Sequence, residues 1–536
     1  MKEIASMQVS VFTFSKTVLL LVAMASILAL QGCAITNRWA YSNSGLEESA
    51  AAVQSGLREA GKKPKASFEI QTRSTKKQPK VLVLLAFSGG GSRAAYFAAR
   101  TMFELERIPG PRNERINVLE EVDLISSVSG GSLAAAYYAS TCDPDSAAPA
   151  LSCRSWDEKT VAGVMGRNYI KRWLGNWFWP SNALRFWFSP FDRTDIMAQT
   201  FADNLFDRQT TGADLHMHDL NPARPNIVLN ATVGSRDADK GSRNRSKLFG
   251  TAFTFTQEDF ADKLHSDIAA YEIARAVMAT ATFPGVFNYM TLRNFHALDA
   301  DCARGSEGCY LHVFDGGNAD NLGLVSLKRV LLSHNAKYVS QYERIVVISV
   351  DAFRRPQGVE SSKPDPRNAY DYIVDTNFLD SSDSLLKVNR ERILQQFFAR
   401  NLADYSENDG CGEDNLPEHA CILDTVRLAE VKEKLGSKLF FFHVAFDALE
   451  NPQKQNIRDK LHAIPTTFLL EQAEMEVIEQ GAAGIFTDPG NVEAAQCVRR
   501  LGEIIASPES TSPIVENNTW CGGHEMQAQR KARLLK

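Results

Sequence analysis

An α/β fold with a mainly parallel central sheet is predicted by two successive strand-turn-helix units and by the glycine-rich turn that closes each strand. The first unit opens at residues 80–87, a nearly continuous apolar run of the kind a strand buried on both faces requires. Glycines follow, then a helical stretch over residues 94–106. The second unit, residues 121–127, turns at once into a small-residue helix over 130–139. Parallel strands need crossover helices, so helices must cover this sheet.

Further strands are expected at residues 226–233, 310–314, 344–350 and 439–444, and helices at 384–402 and 468–481. Residues 356–368 carry Pro356, Pro364 and Pro366 and read as an exposed loop, where a boundary or a lid can fall. No internal repeat or low-complexity tract interrupts the pattern.

The N-terminus reads as a targeting segment. Lys2 and Lys16 precede an apolar run over residues 18–30, broken by Ser26 and too short to span a bilayer comfortably. It ends in Leu30-Gln31-Gly32-Cys33, which resembles the lipobox of bacterial lipoproteins, although Gln31 is not the commonest residue there. An ordinary secretory signal or a buried helix is the alternative. The resemblance implies a signal peptide over 1–32, lipidation at Cys33 and, with Ala34 next, an outer-membrane lipoprotein of the bacterial envelope facing the periplasm or the cell surface. A lipidated linker is expected over 33–79, a folded core over 80–352, and a C-terminal α/β extension packed on the same domain over 353–536.

Without Cys33, eight of the nine cysteines remain, as sequence neighbours: Cys142 with Cys153, Cys302 with Cys309, Cys411 with Cys421, Cys497 with Cys521. Such spacing suits local disulfides in an oxidising compartment, although eight cysteines allow ~105 pairings. A zinc site is the weaker reading, because no CxxC pair occurs. With 44% apolar residues the chain can bury a large core, and a net charge of -5 without basic stripes argues against nucleic acid as a partner. Residues 237–241 lack the spacing of a calcium loop, so no metal or cofactor is expected.

Three glycine-centred motifs follow strands, where parallel sheets place their sites. Ser88-Gly89-Gly90-Gly91-Ser92-Arg93 lets backbone N–H groups converge at a helix N-terminus, suiting an anion or an oxyanion. It is not a phosphate loop of the Gly-Lys-Ser/Thr type, and alone it reads equally as a tight turn. Ser127-Val128-Ser129-Gly130-Gly131 is a variant of the G-x-S-x-G nucleophile elbow, with Ser127 in place of the first glycine. Ser132 offers a second register but falls inside the helix. Phe314-Asp315-Gly316-Gly317-Asn318-Ala319-Asp320-Asn321 follows a further apolar strand.

Together these motifs resemble the patatin-like phospholipase family, in which a G-G-G-x-R/K loop, a G-x-S-x-G elbow and a D-G-G/A turn occur in this order. Residues 279–287, small residues followed by Pro284-Gly285, also match the family's segment ahead of the acid. The resemblance runs over about residues 81–350. It implies a three-layer αβα fold with a mainly parallel sheet and helical insertions. It also implies lipid or other acyl-ester hydrolysis by a Ser129/Asp315 dyad through an acyl-serine, with an oxyanion hole at Gly89, Gly90 and Gly91. Arg93 is either a cation facing a substrate anion or a structural residue.

Two other readings stay open. A Ser/His/Asp triad needs a downstream histidine, for which His334, His419, His443, His462 and His524 qualify by order. An inactive lipid-binding lipoprotein is the other. Trp173, Trp177, Trp179 and Trp187, interleaved with Phe178, Phe186, Phe188 and Phe191 and flanked by Lys171, Arg172 and Arg185, suit either a surface that dips into a membrane or a helical cap on the core. Preferred lipid and oligomeric state are not encoded legibly.

Overall fold

The computed structural model describes residues 43–54, 65–70, 76–111, 114–142, 154–208, 212–235, 249–303, 308–332, 341–355, 377–398, 438–506 and 520–521. The signal segment, Cys33, Cys153, Cys411, Cys421, His334, His419, His524 and the stretches 237–241 and 356–368 lie outside the described residues.

In chain order the elements that position the site are β1 (Ser44–Gly45), α1 (Leu46–Gln54), β2 (Val81–Phe87), α2 (Gly91–Leu105), β3 (Val122–Val128), α3 (Gly130–Ser140), α4 (Tyr169–Trp177), α5 (Pro180–Phe188) and α6 (Arg193–Leu205). Then come β4 (Asn226–Val233), β5 (Ala252–Phe255), β6 (Ser266–Asp267), α7 (Ile273–Ala279), β7 (Met290–Arg293), β8 (Tyr310–Asp315) and α8 (Leu324–Leu332). The last are β9 (Arg344–Asp351), α9 (Asn377–Phe398), β10 (Leu439–Ala445), α10 (Gln472–Thr487), α11 (Val492–Ala506) and β11 (Trp520–Cys521).

Nine strands form the central sheet in the order β11-β10-β9-β2-β3-β4-β8-β7, with β5 also on β4. Every pair from β11 to β4 is parallel, whereas β8 runs antiparallel to both β4 and β7, and β5 antiparallel to β4. The sheet is therefore mixed but mostly parallel, with helices on both faces. Strand β2 shows why its sequence carries no alternation: Val81, Val83, Leu85 and Phe87 enter one core with α2 and α3, while Leu82, Leu84 and Ala86 enter the other with α8 and α9. Both faces of a central parallel strand are buried, so both must be apolar. Strands β5 and β7, absent from the sequence expectations, are four residues each, too short to show a period.

The linker expected over 33–79 is, where described, part of the body. β1 pairs with β6, and the Asn43 side chain donates to the Arg293 carbonyl at 2.9 Å. Ala66 and Phe68 are buried, the Ser67 hydroxyl donates to Glu258 at 2.6 Å, and the Lys76 ammonium is buried on Asp123. Composition misled because this segment docks through backbone hydrogen bonds and capped polar groups, needing few apolar residues. The part beyond 352 shares the central sheet: β10 pairs in parallel with β9, and α10 packs on α2.

Candidate active site

Three tight turns meet at the carboxyl ends of β2, β3 and β8. Strand β3 passes into α3 through a single residue, Ser129, whose φ of 49° and ψ of -121° lie outside every basin that a serine adopts comfortably. Such a conformation costs on the order of 1–3 kcal/mol and persists only where the surroundings enforce it. They do so by close packing: a Cβ on Gly131 would lie 2.7 Å from the Phe87 Cβ, and one on Gly130 would collide with the Gly91 carbonyl. Ser127, standing where the elbow pattern has glycine, is fully buried within β3 and is accommodated there. Ser132 is fully buried in the first turn of α3, with its hydroxyl unpartnered among the described residues.

The Ser129 hydroxyl lies beside the carboxyl of Asp315, the last residue of β8, near enough to favour its ionised form. Burial pushes the Asp315 carboxyl up to about 6, against the lowering effect of the Gly317 N–H bond (2.8 Å) and of the neighbouring Ser129 hydroxyl. The backbone of Asp315 is held on both sides, its carbonyl accepting from Thr232 Oγ1 at 2.8 Å and its N–H donating to the Thr282 carbonyl at 3.2 Å.

The glycine loop closes the third side. Gly90 and Gly91 have φ of 137° and 59°, conformations open to glycine, and a Cβ on Gly91 would strike the Thr467 carbonyl. The Gly89 N–H is already committed, donating to the Asn321 carbonyl at 3.0 Å. Gly90 and Gly91 make no backbone N–H bond to other described residues. Helices α2 and α3 both begin here, so two positive helix ends face one space.

Arg93 is engaged by protein groups. Its guanidinium is buried and donates to the Ala352 carbonyl (3.0 Å), the Ile464 carbonyl (2.5 Å) and Thr466 Oγ1 (3.2 Å), tying α2 to the end of β9 and to the loop before α10. Beneath, Ser88 Oγ accepts from the Ala352 N–H at 2.8 Å. Asp351 is buried, which alone would raise its carboxyl, but Arg390 (2.6 Å) and His443 (3.0 Å) outweigh burial and hold it well below the usual carboxylate range.

The described downstream histidines are engaged elsewhere: His443 on Asp351, and His462 on Asp447 at 3.1 Å. Three residues that sequence reasoning did not single out support the site. Asn230 donates to Ser126 Oγ and the Ser127 carbonyl, both at 2.9 Å, and accepts from Ser326. Thr232 holds the Asp315 backbone, and Asn321 joins the acid turn to the glycine loop. Asn321 stood inside a quoted motif; Asn230 and Thr232 gave no signal beyond polar residues in an apolar strand.

Of the cysteines, Cys302 and Cys309 form a disulfide in the connection between β7 and β8, and Cys142 and Cys497 are also disulfide-bonded. No metal-holding group of His, Cys, Asp or Glu occurs among the described residues, and no described helix is long and apolar enough to cross a membrane.

Residues 85–328 match the sequence model of the patatin-like phospholipase family, and the glycine loop, Ser129 and Asp315 all fall within them. The mixed, mostly parallel sheet with helices on both faces agrees with the three-layer fold that the resemblance implies. No curated protein matches the chain. Among solved structures, human GIVD cytosolic phospholipase A2 is similar at 11% identity and a TM-score of 0.38, over 80% of this chain and 62% of that one, so the chain spans less than two thirds of its length. VipD from Legionella pneumophila is similar at 11% identity and a TM-score of 0.26, over 83% and 72% of the two chains. The type III effector protein ExoU follows at 14% identity and a TM-score of 0.20, over 80% and 77%.

Proposed function

We propose that this chain is a serine lipid acyl hydrolase of the phospholipase A, lysophospholipase or esterase type. The observation that carries the reading is Ser129, held at a strained strand-helix joint with its hydroxyl beside the buried Asp315 carboxyl. A serine hydroxyl is a weak nucleophile until a base removes its proton. Asp315 takes that proton as Ser129 Oγ attacks the ester carbonyl. The carbonyl oxygen becomes an oxyanion that accepts from the Gly90 and Gly91 N–H groups, each such donor contributing about 2.7–4 kcal/mol in comparable sites. Gly89 contributes by shape, its own N–H being used by Asn321. The C–O bond then breaks, the leaving alcohol takes the proton from Asp315, and an acyl-Ser129 remains. Water, deprotonated by Asp315, attacks the acyl-serine; the fatty acid leaves and the proton returns to Ser129.

The cell-envelope reading belongs with this one: signal cleavage before Cys33 and lipidation of that cysteine would tether the hydrolase to a bacterial membrane. Mass spectrometry of the mature N-terminus tests it, with an acylated Cys33 expected and an unmodified N-terminus elsewhere against it. For the chemistry, a fluorophosphonate probe should label the native protein on the Ser129 peptide. Labelling of Ser129→Ala as efficient as wild type removes the assignment.

A further inference from the structure

Helices α4 and α5 carry an apolar side that is exposed to solvent. Phe178 is 79% exposed and Trp187 77%, with Trp179, Leu184 and Phe188 also exposed. Leu184, Trp187 and Phe188 stand at the i, i+3, i+4 spacing that makes one helix face, and in α5 that face meets solvent. An amphipathic helix in a folded body ordinarily turns this face inward. Here it is the other side that packs: Trp173 Nε1 donates to the Arg193 carbonyl at 2.9 Å, and Asn182 is buried.

Charge on the arm is one-sided. From residue 169 to residue 188 there is no Asp or Glu, but Lys171, Arg172 and Arg185 are present in a chain whose net charge is -5. Lys171 and Arg172 are exposed on α4. Exposed Trp and Phe rimmed by cations match the headgroup zone of an anionic bilayer, where rings sit at the interface and each basic residue adds roughly fivefold to partitioning.

The arm also leads to the site. Ring contacts run from Trp187 to Phe186 (5.8 Å), Trp177 (5.1 Å), Trp173 (5.1 Å), Phe287 (5.5 Å) and Phe468 (6.3 Å). Thr467, beside Phe468, gives its carbonyl to the Ser92 N–H on the glycine loop at 2.8 Å. Just after α5, Asp192 and Thr194 grip Asn288, in the segment that starts at Thr282 on the Asp315 backbone.

We propose that the α4–α5 arm docks on an anionic lipid surface, setting Phe178, Trp179, Leu184, Trp187 and Phe188 among the headgroups and bringing the site mouth to the bilayer. The delivery of substrate rests on the hydrolase reading; the docking does not. The test uses the full-length chain in a Ser129→Ala background, so that binding is read without turnover. Vesicles of phosphatidylglycerol and phosphatidylethanolamine carrying brominated acyl chains should quench its tryptophan fluorescence, at least tenfold more readily than phosphatidylcholine vesicles.

The triple change Phe178→Ser, Trp187→Ser and Phe188→Ser should weaken binding tenfold or more, and Lys171→Glu with Arg172→Glu should abolish the anionic preference, each with Tm unchanged. With Ser129 restored, the triple variant should keep its rate on a soluble short-chain ester and lose it on vesicles. Parental vesicle binding by the triple variant overturns the proposal. So does a wild-type dimer in sedimentation velocity that the triple variant dissociates, if vesicles are not bound. Binding without hydrolysis of any ester upholds docking and overturns the hydrolase reading instead.

Discussion

Asp315 gives the site its pH signature. As the proposed base it must be ionised, and burial pushes its carboxyl up to about 6. kcat/KM for a soluble ester should therefore rise as pH increases through about 6 and level off above 7; a profile flat from pH 4 to 8 contradicts the base assignment. Stability runs the opposite way. A buried carboxyl with a raised value holds its proton in the folded chain between about 4 and 6, so folding loses stability across that window as pH rises and the full cost is present above it. Asp315→Asn should abolish turnover yet stabilise the fold by up to about 3 kcal/mol at pH 8, with the gain vanishing near pH 4, as read by thermal melts at both pH values. The proposed nucleophile and acid stand out in the sequence because each sits in a glycine-flanked turn of the kind that reading requires. Asn230 and Thr232 were not, because their partners Ser326 and Asp315 lie more than 80 residues away and meet them only in the folded sheet.

At the scale of elements, long buried strands announced themselves. Residues 226–233 form β4 as expected, and β9 and β10 extend one residue beyond their expected ends. The antiparallel edge did not announce itself, since β5 and β7 gain their identity from pairing and not from pattern. Two connections between elements carry predictions. Gly91→Ala places a side chain at φ 59° against the Thr467 carbonyl, and should cost roughly 1–3 kcal/mol of stability and at least tenfold in kcat, measured by melts and ester kinetics. Wild-type kinetics in that variant would remove the loop from the oxyanion role. The Cys302–Cys309 bond closes a short loop leading into the acid strand, and Arg293 donates to Cys302 Sγ at 2.7 Å. Chain-entropy reasoning gives such a loop roughly 2–3 kcal/mol. Reduction should lower turnover before the sheet unfolds; full activity after verified reduction would detach the bridge from the site.

For the molecule as a whole, the C-terminal part completes the site and does not merely follow it. Arg93 joins the glycine-loop helix to Ala352, Ile464 and Thr466, so the catalytic sheet and residues more than 350 positions downstream share one buried cation. Removing it leaves two backbone carbonyls without their donor, and Arg93→Ala should destabilise by about 3 kcal/mol or more, with Arg93→Lys recovering part. A substrate-binding role for Arg93 would instead raise KM at unchanged Tm. From the sequence this residue was ambiguous, because a cation in the first turn of a helix has the same appearance whether it faces ligand or protein. The segment before β2 was misread for a related reason: burial of Ala66 and Phe68 is a property of the assembled molecule.

The most direct test of the central claim is the hydrolysis of a p-nitrophenyl ester and of a phospholipid by the wild-type chain beside Ser129→Ala, Ser132→Ala, Asp315→Asn, His443→Ala and His462→Ala. The dyad predicts a loss of at least a thousandfold in kcat for Ser129→Ala and Asp315→Asn, and no comparable loss for the other three in variants that retain their fold. Turnover that survives Ser129→Ala, or vanishes with a correctly folded His443→Ala or His462→Ala, would contradict it.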